Sequence, residues 1–208
     1  ARSAEAMSAE GAGPVRPLML VLEVDGHVRG TAMVLPRVGH DWPFYSYKIS
    51  RLSQTSRAHK KSIACRMLNL TNDFDGYAEV GGLLIDPELR GLQAGRLVAR
   101  SRYMFIAEHR DWFGDCVVSE LRGVQDAEGR SPFWEAVGRR FYDMGFEEAD
   151  RLNGLEGNQF IADLGPKYPI YANLLPEDAQ AVIGELHADS RRAYDLLIDE
   201  GFRDEDYV

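Results

Sequence analysis

Cationic side chains are scarce in this chain. It has 24 Lys and Arg against 33 Asp and Glu, a formal net charge of −9 over 208 residues. Nucleic-acid binding draws on a surplus of cations to neutralise phosphates, so this balance argues against a nucleic-acid partner. It is compatible with a cationic small substrate, but an ordinary acidic protein surface accounts for it more simply. Long apolar runs are missing too. No stretch can span a bilayer and no secretory leader is visible, so no membrane partner is expected. Cysteine is nearly absent: Cys65 and Cys116 stand far apart without ligand spacing. They predict no metal site, and they fit a reducing cytoplasm. The first residue is Ala1 rather than Met, so a processed chain or a fragment of a longer one is expected. The apolar share of 45% is enough for a real core, in one large domain or two small ones.

Residues 1–17 are small, Gly/Ala/Ser-rich and punctuated by Pro, a composition that predicts disorder or a remnant beside missing sequence. Residues 18–23 and 27–35 are β-rich, and Asp25-Gly26 between them is a hairpin signal. Residues 37–56 (with WPFYSYKI) read as an aromatic, irregular segment. Strands are expected at 62–70, 77–85, 115–121 and 160–164. Helices are expected at 92–110, 132–144, 177–186 and 190–200. Ser131 before Pro132 is a good cap and first position, and Gly201 a stop. The strands flanking helix 92–110 should run parallel, because a helical crossover joins them. A helix closing on Gly-Phe occurs twice, at Gly145-Phe146 and Gly201-Phe202. Chance use of a common helix stop explains this as well as two related half-domains.

The most telling stretch is IDPELRGLQAGRLVAR, residues 85–100. A β-rich run, YAEVGGLLI, enters a short loop carrying Arg90, Gly91 and Gly95, and an amphipathic helix follows at once. First-turn N–H groups have no partner inside a helix, and the macrodipole adds partial positive charge there. Such a strand, loop and helix N-terminus can hold a phosphate.

The pattern I-D-P-x-x-R-G-x-x-A-G is similar to the acyl-CoA loop of the GCN5-related N-acetyltransferase (GNAT) superfamily, and SPFWEAVGRRF resembles its second motif. More narrowly, WPFYSYKI, LLIDPELR, ARSRYMFIAEHRDWFGD, VVSELRGVQDAEGRSPFWEAVGRRF, FIADLGPKYPIY, LLPEDAQAVIGELH and GFRDEDYV resemble the arginine N-succinyltransferase family, over about residues 18–208. The resemblance implies an α/β fold: a GNAT-like mixed, mostly antiparallel sheet with splayed parallel central strands and flanking helices. Residues 18–165 would be an acyl-CoA-binding domain lacking the family's first strand and helices. Residues 166–208 would be a helical C-terminal extension, or part of a second GNAT-like half. The implied reaction is transfer of succinyl from succinyl-CoA to the α-amine of L-arginine, the first step of arginine catabolism by the succinyl pathway. Another amine such as ornithine, or a non-catalytic acyl-CoA-binding subunit, remains an alternative. The family also implies association with a second copy or a related subunit.

Residue roles follow from that resemblance. Leu83 matches the succinyl-CoA-binding position, with a backbone contact. Arg90 and the segment Gln93, Ala94, Gly95 and Arg96 would meet the diphosphate. Gln93 stands where the superfamily has glycine, so either its side chain crowds the ligand or its backbone avoids positive φ. Glu79 is a candidate base for the attacking amine, or else a solvent-facing carboxylate. His187 matches the family's proton donor, a role suited to imidazole. Trp134 occupies the place of the superfamily's tyrosine and cannot supply a proton at neutral pH. Tyr142 lies on the same stretch in another register. Arg122, Lys48 and Arg51 are candidates for the succinyl carboxylate, and Glu120 and Asp126 for the arginine guanidinium. The aromatic run 42–47 either lines the substrate mouth or is core.

Overall fold

A computed structural model describes residues 16–208. The segment 1–17, expected to be disordered or a remnant, falls outside the described residues up to position 15. In chain order the strands are β1 (Leu18–Val24), β2 (His27–Leu35), β3 (Ser46–Ser56), β4 (Lys61–Thr71), β5 (Ala78–Ile85), β6 (Val117–Val118) and β7 (Ile170–Tyr171). The helices are α1 (Ala94–Glu108), α2 (Pro132–Ala136), α3 (Gly138–Tyr142), α4 (Phe146–Glu156), α5 (Gln159–Leu164), α6 (Glu177–Ala181) and α7 (Arg191–Asp199). They form two compact units that interleave in sequence. One runs to Asp41 and resumes at Phe74–Glu120; the other joins Trp42–Asp73 to Leu121–Val208. No single linear boundary reproduces that partition.

The first unit is a sheet in the order β1-β2-β5-β6. Asp25 and Gly26 both take positive φ (51° and 78°), the geometry of the tight turn expected between β1 and β2. Strict alternation in β2 and β5 puts Ala32, Val34, Ala78 and Val80 in the core with no exposed surface. α1 packs against β1, β2 and β5, with Val98 and Ala99 buried. β5 and β6 are parallel, as the helical crossover requires. Mixed sheet and flanking helices agree with the expected GNAT-like α/β class.

The second unit centres on a sheet in the order β3-β4-β7. Leu68, Ala172 and Ile183 are buried there, with Tyr47, Ile49, Phe133, Ile170, Leu175 and Val208 packed around them. The C-terminus is tied down by backbone bonds: Tyr47 N–H to Val208 O at 2.6 Å, Val208 N–H to Tyr47 O at 2.9 Å, and Ile49 N–H to Asp206 O at 2.7 Å.

Several elements differ from the expectation. Residues 46–56 are a full strand, not irregular; polar residues on both faces hid the alternation, yet all eleven pair with β4. The apolar run at 160–164 is helical, not a strand. Five apolar-rich residues fit either period, and here Phe160 packs edge-on against Tyr142, ring centroids 5.4 Å apart. The helix expected at 132–144 is two pieces, broken at Val137 (φ −118°, ψ −69°). Its start is as expected, Ser131 Oγ accepting the Trp134 N–H at 3.3 Å. The strand expected at 115–121 shrinks to two residues, and the helix at 177–186 ends at Ala181. The two Gly-Phe pairs are not equivalent. Gly145 (φ −72°) opens α4, whereas Gly201 (φ 92°) closes α7 with Phe202 N–H bonded to Leu197 O at 3.1 Å. The echo is therefore not a repeated helix stop.

Leu68 is fully buried, so Leu68→Ala should destabilise the fold by about 2–5 kcal/mol through lost transfer energy and a cavity. Urea denaturation checks this. A loss under about 1 kcal/mol would mean that the site collapses freely.

Candidate functional site

The register between β5 and β6 holds two pairs, Ala78 with Val117 and Glu79 with Val118. Ser119 Oγ then donates to Val80 O at 2.8 Å, and beyond it β5 continues alone on that side as far as Ile85. The splay therefore begins directly after Glu79. β5 also carries a bulge. Met33 of β2 faces Gly81 and Thr31 faces Leu84, so Gly82 and Leu83 take no partner in that register. Gly82 has φ 55°, and a Cβ there would lie 3.0 Å from Met33 Cβ, so glycine takes this conformation without the strain and crowding that a side chain would add. Leu83 follows directly, on the stretch of β5 that β6 does not pair.

The end of β5 abuts the start of α1. A Cβ on Gly95 would lie 3.7 Å from Ile85. Between them, Asp86 accepts the Glu88 N–H at 3.1 Å and caps a short turn over Pro87–Leu89. Arg29 of β2 braces this loop, 3.2 Å from Asp86 and paired also with Glu88. Sequence reasoning missed Arg29; the acidic pair in D-P-E was its one signal. Gln93 caps α1 in the left-handed region, φ 65° and ψ 0°. The alternative that its backbone avoids positive φ is thus wrong: the close turn into α1 demands that conformation even of a non-glycine residue, at a cost of about 1–2 kcal/mol. The first intrahelical bond joins Leu97 N–H to Gln93 O. The amides of Ala94, Gly95 and Arg96 consequently have no acceptor within the helix. Gln93 and Arg96 stand at the head of an open groove of about 360 Å3, continued by Leu97, Arg100, Ser101 and Met104. Arg90 is exposed on the preceding loop.

Glu79 and Glu120 come together in the first unit. Glu79 pairs with Val118, so Glu120 lies one diagonal position on, along the same face of the parallel pair. Burial pushes the Glu79 carboxyl above the usual glutamate range. Glu120 is pushed up to about 7, by dehydration first and by the charge of Glu79 second. Glu120 remains exposed to water, which makes the like-charge contribution the firmer cause. Glu79 is half-buried, on the face of β5 opposite the core residues Ala78 and Val80.

Arg122 and His187 meet in the second unit. An isolated bridge pairs Gly123 with Leu186. Arg122 O accepts the His187 N–H at 2.9 Å and the Ser190 hydroxyl at 3.2 Å. His187 does not end a helix; it caps a short turn over Ala188–Ser190, its Nδ1 accepting the Asp189 N–H at 3.2 Å. That bond leaves the proton of the neutral ring on Nε2. The Asp189 carboxylate lies 3.6 Å from Nδ1.

Other candidates are already engaged. Lys48 Nζ is 2.9 Å from Asp73 and lies over the Tyr207 ring. Arg51 is exposed, 3.9 Å from Asp206. Asp126 is bound by Arg130 at 2.8 Å. Trp134 donates to Met144 O at 3.0 Å and stacks on buried Tyr142, whose phenol burial holds above its usual range. Gly138 lies against the Trp134 indole, where a Cβ would come within 2.4 Å. Trp134 and Tyr142 thus serve the core. Among the described residues no three His, Cys, Asp or Glu side chains cluster to hold a metal ion. No helix among them is long and apolar enough to cross a membrane.

Glu79 and Glu120 bind protons more tightly in the folded chain than in the unfolded one. Their neutral forms therefore favour folding below the ordinary value of 4.5, and that advantage is lost as pH rises toward about 7. Glu120→Gln should flatten this fall in Tm, as thermal melts across the same pH window would show. An unchanged slope would mean that folding does not tighten proton binding at Glu120.

A family model described as arginine N-succinyltransferase beta subunit matches residues 1–208. The chain is 43% identical over 183 residues to arginine N-succinyltransferases of Citrobacter koseri and Salmonella paratyphi B, an alignment covering 88% of this chain and 53% of each relative. It thus spans about half the length of these curated relatives. Its structure is similar to that of arginine/ornithine succinyltransferase subunit AI from Pseudomonas aeruginosa, with a TM-score of 0.83 and 31% identity, over 100% of this chain and 60% of that one. By the match along its whole length, the chain belongs to the arginine N-succinyltransferase beta subunit family.

Proposed function

We propose that this chain takes succinyl-CoA as acyl donor and transfers the succinyl group to the α-amine of L-arginine, releasing CoA. The observation that carries the reading is the open side of β5 past Glu79, with the bulge at Gly82 and the N-terminus of α1 following at its end. Pantetheine is extended and amide-bearing, so it pairs with a free strand edge as an added strand would. The diphosphate meets the amides of Gln93, Ala94, Gly95 and Arg96, with Arg90 and Arg96 supplying charge. The relatives' names favour arginine over ornithine as acceptor.

The chemistry then falls to few groups. The acceptor amine must be neutral to attack, and Glu79, raised by burial, takes its proton directly or through water. As the amine nitrogen bonds to the thioester carbon, the carbonyl oxygen becomes negative and accepts from the Leu83 N–H. The C–S bond breaks, and His187, acting as the imidazolium with its Nδ1 proton toward the Asp189 carboxylate 3.6 Å away, gives its Nε2 proton to the departing thiolate and is left as neutral imidazole. Lys48 and Arg51 face Asp73 and Asp206, so Arg122, beside His187 through the Gly123–Leu186 bridge, is the cation we assign to the succinyl carboxylate. The chain works in the cytoplasm, associated with a second copy or a related subunit.

Calorimetry with succinyl-CoA and a thiol-release assay over a panel of amines test this reading. Binding followed by arginine-dependent release is expected; release with ornithine alone would redirect the assignment. His187→Ala should lower kcat by about 100-fold or more while leaving succinyl-CoA affinity near wild type. An unaltered kcat would remove the acid role.

A further inference from the structure

Two side chains outside the roles above hold the carbonyls of the β5 bulge. Thr31 Oγ1, from β2, donates to Gly82 O at 3.1 Å. Arg102, from α1, donates to Gly81 O at 3.2 Å and to Ala99 O at 3.1 Å. Arg102 is only 4% exposed. The groups that set its charge are dehydration and the Tyr103 phenol, with no carboxylate among them. Burying a guanidinium in this way is costly unless its donors are used, and here one of them is used on the bulge.

The consequence follows from peptide geometry. No cis peptide occurs among the described residues, and in a trans peptide the N–H points opposite to the C=O of the same plane. With Gly82 O drawn to Thr31, the Leu83 N–H points away from Thr31, on the side of β5 that β2 does not occupy. With Gly81 O drawn to Arg102, the Gly82 N–H points away from α1. A bulge residue at φ 55° has no ladder to fix its peptide planes, so these two bonds do it instead.

We propose that Thr31 is a positioning residue for acyl transfer: its hydroxyl, backed by the Arg102 guanidinium, fixes the bulge so that the Leu83 N–H is aimed at the thioester oxygen. This rests on the acyl-transfer reading above and adds to it the group that orients the oxyanion donor. The class of ligand is a CoA thioester, and the atom served is its carbonyl oxygen.

The test uses the full chain and three forms: wild type, Thr31→Val, which keeps the shape and removes the hydroxyl, and Thr31→Ser, which keeps the hydroxyl. Thr31→Val should lower kcat about tenfold with KM for succinyl-CoA within about twofold of wild type, and Thr31→Ser should recover most of the loss. In 15N-labelled protein, succinyl-CoA compared with free CoA should shift the Leu83 amide proton downfield in wild type and Thr31→Ser, and much less in Thr31→Val. Equal losses in both variants, no loss in either, or no Leu83 shift in wild type would overturn the proposal. If wild type shows the amide shift but no turnover with any amine, the acyl-transfer reading fails while the aim of Leu83 stands.

Discussion

Backbone N–H and C=O groups must be paired, and past Glu79 the side of β5 toward β6 has no ladder to pair them. β6 ladders with β5 over Ala78 and Glu79 only, although β5 continues to Ile85. A strand edge open in the interior of a four-stranded sheet invites either another strand or a ligand that behaves as one. Much of the local sequence serves that opening. Ser119 takes up Val80 O at the point of divergence, and Gly82 takes the positive φ of the bulge without crowding Met33. The D-P-E-L-R-G loop, braced by Arg29, turns the chain at once into α1. The helix N-terminus therefore stands at the end of the same strand, its first intrahelical bond running from Leu97 N–H to Gln93 O.

Much of this geometry was legible in the residues. The Asp25-Gly26 hairpin, the strand into loop into helix at 77–110 and the parallel crossover follow from turn chemistry, period and connection rules. What was illegible has identifiable causes. β3 alternates weakly because polar side chains occupy both faces, so its eleven-residue register with β4 left little trace. The run at 160–164 is too short for its period to decide between helix and strand. The break between α2 and α3 falls beside Gly138, a glycine that reads as tolerable inside a helical run and here lies against the Trp134 indole.

The candidate site was legible where a backbone motif carries it and opaque where side chains meet across the fold. Gln93 at positive φ could not be told from composition, since a non-glycine residue there is a local cost accepted for the turn. The coupling of Glu79 with Glu120 depends on the register of β5 with β6. The meeting of Arg122 with His187 depends on a bridge between residues 63 positions apart, Gly123 and Leu186. Thr31 and Arg102 have no motif at all; only the bulge gives them a purpose. These groups divide between the two units: Glu79, Glu120, Leu83 and the head of α1 belong to the first, Arg122 and His187 to the second.

Backbone amide hydrogen exchange with and without succinyl-CoA tests the central claim most directly, because it reports on the edge itself. The account predicts that the ligand slows exchange along residues 80–85 and at the amides of Ala94, Gly95 and Arg96. Protection confined to other segments, with these amides exchanging as fast as before, would contradict it.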